Sequence, residues 1–373
     1  MKILLIDSGI PSSTGDVYRY FRAAFERAGH TIIPFQLSAR IDQASYSLDR
    51  AWQQAGKPPQ RPTGADIYFR ASEGAITMAL RHIPDLILIT TSQFFHPDCL
   101  ILLERAGFNV GIIGTESPYG DQFTAHFMQA VDCGWTQERT SVERLRQRAN
   151  NARIWYLPAA YDPTIHRPEP LPDDPDDPTT PHHDVVLVAT GFAERVALLE
   201  AVDWRGIDFG MYGDWATLPK KSKLRKFVRG KVITNRSAVM LYRNAKIGLN
   251  LYRDGLVLAG EPGGMLKFDG GEIVPAESLN PRAYELAACG TMQISQERAE
   301  VREVFGDSVP TFRAPEELGA LVRELLAKPE RRQKLVEQAE FAVRDHSFDA
   351  RVQQITEQFS TLRLATRPVA LHR

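Results

Sequence analysis

The sequence predicts an α/β protein with two parallel-sheet domains, on three observations. Short apolar runs of strand length alternate with amphipathic helical stretches from the first residues onward. The alternation breaks at a proline-rich stretch, 163–181, and then starts again. The 373 residues are enough for two domains at roughly 100–200 residues each, with a core in each.

Composition narrows the class. At 43% hydrophobic and 24% charged, the chain is neither disordered nor fibrous. Lys+Arg 45 against Asp+Glu 46 argues against a protein that holds nucleic acid over its whole surface. Three scattered cysteines, Cys99, Cys133 and Cys289, give no zinc spacing and no disulfide framework. They fit a reducing, cytoplasmic compartment. The run Ile3-Leu4-Leu5-Ile6 is cut by Asp7 and is too short for a signal peptide. No stretch reaches the ~18 apolar residues of a membrane span, so none is expected.

Lys2 to Ile6 reads as a buried strand, and Asp16 to Ala28 as a helix with Val17, Tyr20, Phe21, Ala24 and Phe25 on one face. Gly29 ends it, and Thr31 to Phe35 is the next strand. Arg40 to Gly64 is polar, with Pro58, Pro59 and Pro62, and reads as a helix and a loop. Leu86 to Ile89 and Asn109 to Ile113 are strands, with a helix at Pro97 to Ala106.

Seven of the nineteen residues 163–181 are proline, and Asp173, Asp174, Asp176 and Asp177 lie among them. Proline removes backbone donors, so the stretch reads as an extended linker. Its aspartates are assigned to solvent rather than to a metal, and His182-His183 to the same solvated linker. Strands are expected at Asp184 to Ala189, Phe209 to Tyr212, Ile247 to Leu251 and Thr291 to Ile294. Helices are expected from Glu194 to Val202, Ser278 to Ala288, Pro315 to Ala327, Pro329 to Asp345 and Phe348 to Leu364. The expected domains are 1–162 and 184–347, both Rossmann-like, with a linker at 163–183. The segment 348–373 is a helix expected to return to the first domain. Ligands of such sheets bind outside the carboxyl ends of the strands.

The most informative segment is Asn280-Pro281-Arg282-Ala283-Tyr284-Glu285-Leu286-Ala287-Ala288-Cys289-Gly290-Thr291. Gly290 suits a left-handed helix end. The Glu285 carboxylate can accept two hydroxyl hydrogen bonds, as from a ribose; a surface glutamate on an amphipathic helix is the competing reading.

Several further pieces carry a family resemblance. They are the opening βα unit with Arg27-Ala28-Gly29-His30; Tyr156-Leu157-Pro158-Ala159-Ala160-Tyr161-Asp162-Pro163 followed by His166-Arg167-Pro168; and Tyr212-Gly213-Asp214-Trp215. Tyr242 to Asn250, ending in Leu-Asn, Arg282 and Glu285 with Ala288-Cys289-Gly290, and Asp345-His346-Ser347-Phe348 with Arg351 complete the set. Together the chain resembles the CgeB-like glycosyltransferases, a branch of the GT-B superfamily. The resemblance implies two facing Rossmann-like domains and a nucleotide-sugar donor held by the second. It implies that Glu285 binds the donor ribose, that Gly191 and Gly213 let the backbone approach the nucleotide, and that Asp214, Asn250 and Arg282 lie close by. It further implies that no metal and no cofactor is needed beyond the nucleotide-sugar as cosubstrate. Positive side chains and the helix beginning near Leu279 would then face the diphosphate.

Lys220 to Arg236 holds eight basic residues and no acid. It reads as a solvated helix face, as a diphosphate site through members such as Lys221 and Arg225, or as a surface for a polyanionic acceptor. Arg195 is a second diphosphate candidate, against an exposed arginine at a helix start.

On the acceptor side, Glu116, in Thr115-Glu116-Ser117-Pro118-Tyr119, follows a strand and is the leading candidate for general base. Asp16, Asp121 and His126 are its rivals, and a helix-capping carboxylate is the plain alternative. Ser13, Thr14 and Gly15 form a polar loop that suits phosphate or acceptor. It lacks the glycine spacing of a dinucleotide fingerprint and the lysine of a P-loop, which sets NAD and NTPase chemistry aside. His96 is a further acceptor-side candidate or a packed loop histidine. The glycine-rich stretch 255–271 reads as a lid or an insertion.

The expected activity is transfer of a sugar from a nucleotide-sugar to an acceptor hydroxyl, with retention or inversion open. One alternative is a glycosyltransferase acting on hydroxymethylated DNA bases, motivated by Lys220 to Arg236. Another is a nucleotide-sugar-binding protein without turnover, motivated by the doubtful base. A periplasmic-type binding protein is disfavoured because no export signal is read.

Overall fold

The computed structural model describes residues 1–10, 14–151, 153–170, 181–230, 234–253, 274 and 276–362. Ser13, the linker aspartates, Lys231 and the glycine-rich stretch 255–271 lie outside the described residues. The chain divides into two compact units.

The first unit comprises the described residues of Met1–Pro158, Gly255–Ala276 and Arg351–Arg373. Its sheet holds β1 (Lys2–Ile6), β2 (Thr31–Phe35), β3 (Leu86–Thr90), β4 (Val110–Gly114), β5 (Cys133–Thr136) and β6 (Ile154–Tyr156), in the order β2-β1-β3-β4-β5-β6. All pairings are parallel. β1, β3 and β4 are buried almost throughout, which explains their near-continuous apolar runs. Helices α1 (Thr14–Arg27), α2 (Leu37–Gln54), α3 (Gly64–His82), α4 (Pro97–Arg105), α5 (Asp121–Met128) and α6 (Ser141–Ala149) make the crossovers.

The second unit comprises the described residues of Ala159–Asp254 and Glu277–Ala350. Its strands are β7 (His183–Val188), β8 (Phe209–Tyr212), β9 (Val228–Gly230), β10 (Ala245–Asn250), β11 (Met292–Gln296) and β12 (Thr311–Phe312). They lie in the order β12-β11-β10-β7-β8-β9, again all parallel. Counted from β7, this is the 3-2-1-4-5-6 order of a dinucleotide-binding sheet, with its switch point between β7 and β10. Helices α7 (Ala193–Ala201), α8 (Asn235–Arg243), α9 (Pro281–Ala288), α10 (Ala299–Phe305), α11 (Pro315–Ala327) and α12 (Pro329–Val343) connect or cover it. A last helix, α13 (Phe348–Thr361), begins in the second unit and from Arg351 belongs to the first.

Three expectations need correction. The polar region holds helix α2 and a loop as expected, but a whole further helix, α3, follows it from Gly64 and was not anticipated. The start of the proline-rich stretch is not solvated, because His166 is buried and Arg243 donates to the Arg167 and Ile165 carbonyls at 2.7 and 3.0 Å. His183 is not a linker residue either. It opens β7, buried, with Nδ1 2.9 Å from Asp208 Oδ2 and Nε2 2.8 Å from the Tyr212 hydroxyl.

Candidate functional site

The switch point of the second sheet gathers most of the donor-side residues named from sequence. Arg195 lies in the first turn of α7 and is buried, not an exposed helix-start arginine. It reaches both strand ends, donating to Thr190 O after β7 at 3.0 Å and to Leu251 O after β10 at 3.1 Å. Its Nε approaches Tyr252 O at 3.4 Å, and its guanidinium stands 5.0 Å from the Phe192 ring centroid. The charge of Arg195 is thus solvated by backbone carbonyls that β7 and β10 leave at their ends. From α9, Arg282 Nη1 meets the same Leu251 carbonyl at 3.4 Å, so the two guanidinium groups converge on one oxygen. Arg282 is half-buried, and its Nε has no hydrogen-bond partner among the described residues.

The loops after β7 and β8 are locked together. Gly191 N donates to Asp214 O at 2.7 Å, and the Asp214 carboxylate accepts from Ala216 N at 3.0 Å. A Cβ on Gly191 would stand 2.7 Å from Trp215 Cε3. Gly213 has φ +111°, and a Cβ there would stand 2.3 Å from Ala189 O. Packing of one loop on the other is by itself enough to require both glycines.

Asn250 closes β10, fully buried. Its Nδ2 donates to the Tyr252 hydroxyl at 2.9 Å and approaches Ser295 Oγ at 3.3 Å. Its Oδ1 is buried with no partner among the described residues, which leaves one acceptor unspent at the strand end. Burial pushes the Tyr252 phenol up to about 12, so this knot is neutral across the physiological range.

Helix α9 begins as an Asn-Pro start should. Asn280 Oδ1 accepts from Ala283 N at 3.2 Å, and Pro281 supplies no N–H. Two of the first three donors that might have faced an anion are therefore spent or absent. Gly290, at φ +68°, follows the helix end as expected. Glu285 is buried rather than exposed on an amphipathic surface. Its Oε1 lies 3.4 Å from Asn235 Nδ2, at the first turn of α8, and 3.7 Å from His166 Nε2. His166 Nε2 lies 3.0 Å from Asn235 Oδ1. Sequence reasoning missed Asn235 altogether. It noted His166 only within a His-Arg-Pro signature.

Lys221 and Arg225 are not drawn to this cluster. The basic stretch is not a helix face but a short 3-10 turn (Lys223–Phe227) running into edge strand β9. Leu224 and Phe227 anchor it in the core. Arg225 donates to Pro219 O at 2.8 Å and Leu218 O at 2.5 Å, holding its own loop. Lys220, Lys221, Lys223, Arg225, Lys226 and Arg229 are exposed.

In the first unit the candidates are dispersed. Asp16 is ion-paired with Arg19 on its own helix. Thr14 is buried at the start of α1, its hydroxyl without a partner among the described residues. Gly15 lines a cavity of about 440 Å³ bounded by Asp7, Tyr18, Arg19, Arg22 and Ser38, near the carboxyl end of β1. Glu116 sits half-buried after β4, with its carbonyl accepting from Gly120 N at 2.8 Å. Asp121 is buried and bound by Arg144. His96 is a helix cap: its Nδ1 accepts from Asp98 N at 3.2 Å, and burial holds its pKa below the usual histidine range.

Among the described residues no group of three or more His, Cys, Asp or Glu side chains converges, and no helix is long and apolar enough to cross a membrane.

Comparison with known proteins agrees with the fold, and most of the span that matches a family lies in the second unit. Residues 195–357 match the family described as Glycosyl transferase-like. That span takes in Arg195, Asn235, Asn250, Arg282 and Glu285. No curated protein sequence matches the chain. Among solved structures it is similar to a sucrose-phosphate synthase from Thermosynechococcus elongatus, at 14% identity, TM-score 0.62, covering 98% of this chain and 100% of that one. It is similar to Anabaena HepE, determined in complex with UDP and glucose, at 12% identity, TM-score 0.61, covering 97% and 100%. A glycosyltransferase from Rickettsia africae follows at 11% identity and TM-score 0.56, covering 100% and 99%. The chain thus has the α/β fold of GT-B glycosyltransferases: two parallel six-stranded sheets with flanking helices.

Proposed function

We propose that this protein transfers a sugar from a nucleotide-sugar donor to an acceptor hydroxyl, with the nucleotide held by the second unit. The observation that carries the reading is Glu285. It is a buried carboxylate on a capped helix, inside the segment that matches a glycosyl transferase-like family, one turn from Arg282 and its unpaired Nε. A carboxylate in that setting accepts vicinal hydroxyls such as those of a ribose. The half-buried Arg282 guanidinium supplies positive charge for a leaving diphosphate without a metal. A structural neighbour that holds UDP and glucose supports the donor class.

The test is a thermal-shift screen against UDP-, GDP-, TDP- and CDP-sugars, with Glu285→Ala in parallel. A ligand that binds only the native state raises the melting temperature. The expected result is stabilisation of the wild type by one donor and loss of that response in the variant. If no nucleotide-sugar shifts the wild type, the reading fails.

A second reading keeps the chemistry and changes the acceptor. The six exposed cations along 220–229 fit a polyanion such as hydroxymethylated DNA. Duplex binding that falls steeply with salt, and is lost on charge reversal at Lys220, Lys221 and Lys223, is its signature.

A further inference from the structure

The buried polar cluster behind Glu285 has a directional order that the donor reading alone does not use. Each atom in it has a determinate role. A carboxylate is acceptor-only, so Asn235 must present Nδ2, not Oδ1, to Glu285 Oε1 at 3.4 Å. That turns Asn235 Oδ1 toward His166 Nε2 at 3.0 Å, and an amide oxygen only accepts, so Nε2 carries the proton. In the neutral ring Nδ1 is then an acceptor, and Asp162 N–H donates to it at 3.1 Å; the Asp162 carbonyl, also 3.1 Å from Nδ1, takes its hydrogen from the His166 backbone N–H instead. One tautomer and one amide orientation satisfy the whole chain, from Asp162 N–H through His166 and Asn235 to Glu285.

The support is rigid at every point. The His166 side chain is wholly buried. Its own backbone N–H donates to Asp162 O at 2.8 Å. Asp162 Oδ1 accepts from Thr164 N and Oγ1 at 2.8 and 2.6 Å. Arg243, at the end of α8, holds the carbonyls on either side of His166 at Ile165 and Arg167. Asn235 stands at the first position of α8, whose cap is Thr234 Oγ1 accepting from Ser237 N at 3.2 Å. Glu285 Oε2, by contrast, meets no protein donor among the described residues.

We propose that His166 and Asn235 are positioning residues that fix the rotation of the Glu285 carboxylate, so that it discriminates a ribose diol from a deoxyribose. The inference rests on Glu285 as the ribose acceptor. With Oε1 held from behind, Oε2 and the remaining Oε1 lone pair face the ligand in one geometry. A freely rotating carboxylate would still bind a hydroxyl but would lose part of that gain to side-chain entropy.

The experiment is a titration of the whole protein with UDP, GDP and ADP, then of the one that binds best against its 2′-deoxy and 3′-deoxy analogues, by calorimetry. A hydrogen bond from a sugar hydroxyl to a carboxylate predicts that the wild type prefers the ribonucleotide by roughly 10- to 100-fold. Glu285→Ala brings that ratio to about one. His166→Leu and Asn235→Ala lower it about 3- to 10-fold. His166→Gln retains it, because its amide nitrogen can still donate to Asn235 Oδ1. Merely structural roles would lower melting temperature and weaken both nucleotides alike, leaving the ratio unmoved. Should His166→Leu fail to fold, Asn235→Ala, at a half-buried position, still decides the matter.

Wild-type ratios in both Asn235→Ala and a folded His166→Leu overturn the positioning role while Glu285 keeps its own. A wild-type ratio in Glu285→Ala, or no nucleoside diphosphate binding at all, removes the ribose reading and this inference with it.

Discussion

The indole Nε1 of Trp135, in β5, donates to Gln358 Oε1 at 2.7 Å, joining residues 223 positions apart. Trp135 is fully buried, so its N–H has no recourse to water. The same helix supplies Arg351 to Pro158 O and Gln354 to Tyr156 O, both at 2.9 Å, and buries Val352 and Ile355. Gln358→Leu leaves a buried donor unpaired and costs about 1–3 kcal/mol. Trp135→Phe/Gln358→Leu together cost less than the sum of the singles, because neither partner is left orphaned. Urea denaturation of the four proteins gives the coupling, and strict additivity would refute the bond.

Gly213 makes a sharper claim about backbone. With φ +111° and a Cβ position 2.3 Å from Ala189 O, Gly213→Ala strains the loop after β8 and pushes on the loop after β7. The cost is at least about 2 kcal/mol, with nucleotide affinity lost in parallel because Thr190, next to Ala189, holds Arg195. Gly206 is the control. It also has positive φ, +75°, but nothing lies within 4 Å of its Cβ position. Gly206→Ala costs about 1 kcal/mol and leaves affinity untouched. Equal destabilisation of the two variants would show that conformation alone, not the loop contact, fixes Gly213.

Asp121 and Arg144 set a pH dependence. Burial raises the Asp121 pKa, and the Ser117 and Ser141 hydroxyls together with the Arg144 guanidinium, bonded to Oδ2 at 2.9 and 2.6 Å, only partly offset this. A carboxyl raised in the folded state contributes stability that is complete below the ordinary carboxylate range. That contribution is lost as pH rises through the raised native value. Arg144→Leu removes the charged part of the offset and leaves the two hydroxyls, so the loss grows, by about 3 kcal/mol at neutral pH. The stability gap between variant and wild type should therefore be small near pH 4 and wide near pH 7, and Asp121→Asn added to Arg144→Leu should narrow it. A gap constant with pH would place the effect in packing instead.

Much of the second unit was legible because its signals are local. β7, β8 and β10 are apolar runs buried in the middle of a sheet, and α9 is bracketed by Asn-Pro and Gly. Helix α3 escaped notice because its buried face is Ala71, Ser72, Ala75 and Ala79, too small to mark a hydrophobic period. Its start was nonetheless written in Thr63-x-x-Asp66, a capping box with both bonds formed. Strands β5, β9 and β12 are four residues or fewer and carry no alternation to read. In the site, Glu285 was visible and its supports were not. Asn235 is 50 positions away and His166 sits beyond a proline-rich break, so only the fold brings them together.

The two arginines at Leu251 O separate by what each has left to give. Arg195 spends its guanidinium on Thr190 O, Leu251 O and Tyr252 O, which makes it a clamp across the ends of β7 and β10. Arg282 makes a long bond to Leu251 O and a side-chain bond to the buried Tyr242 hydroxyl, and its Nε is unpaired among the described residues. A clamp shapes the whole pocket; an anion ligand acts on the phosphates alone. Arg195→Met should therefore lower the melting temperature and weaken a nucleoside and its diphosphate by the same factor. Arg282→Met should leave nucleoside affinity nearly intact and cut diphosphate affinity about 10-fold or more, the worth of one charge-assisted contact. Calorimetric titration with both ligands distinguishes the roles. If Arg195→Met instead strips affinity only from the diphosphate, its three carbonyl bonds are exchanged for phosphate on binding, and the clamp assignment is wrong.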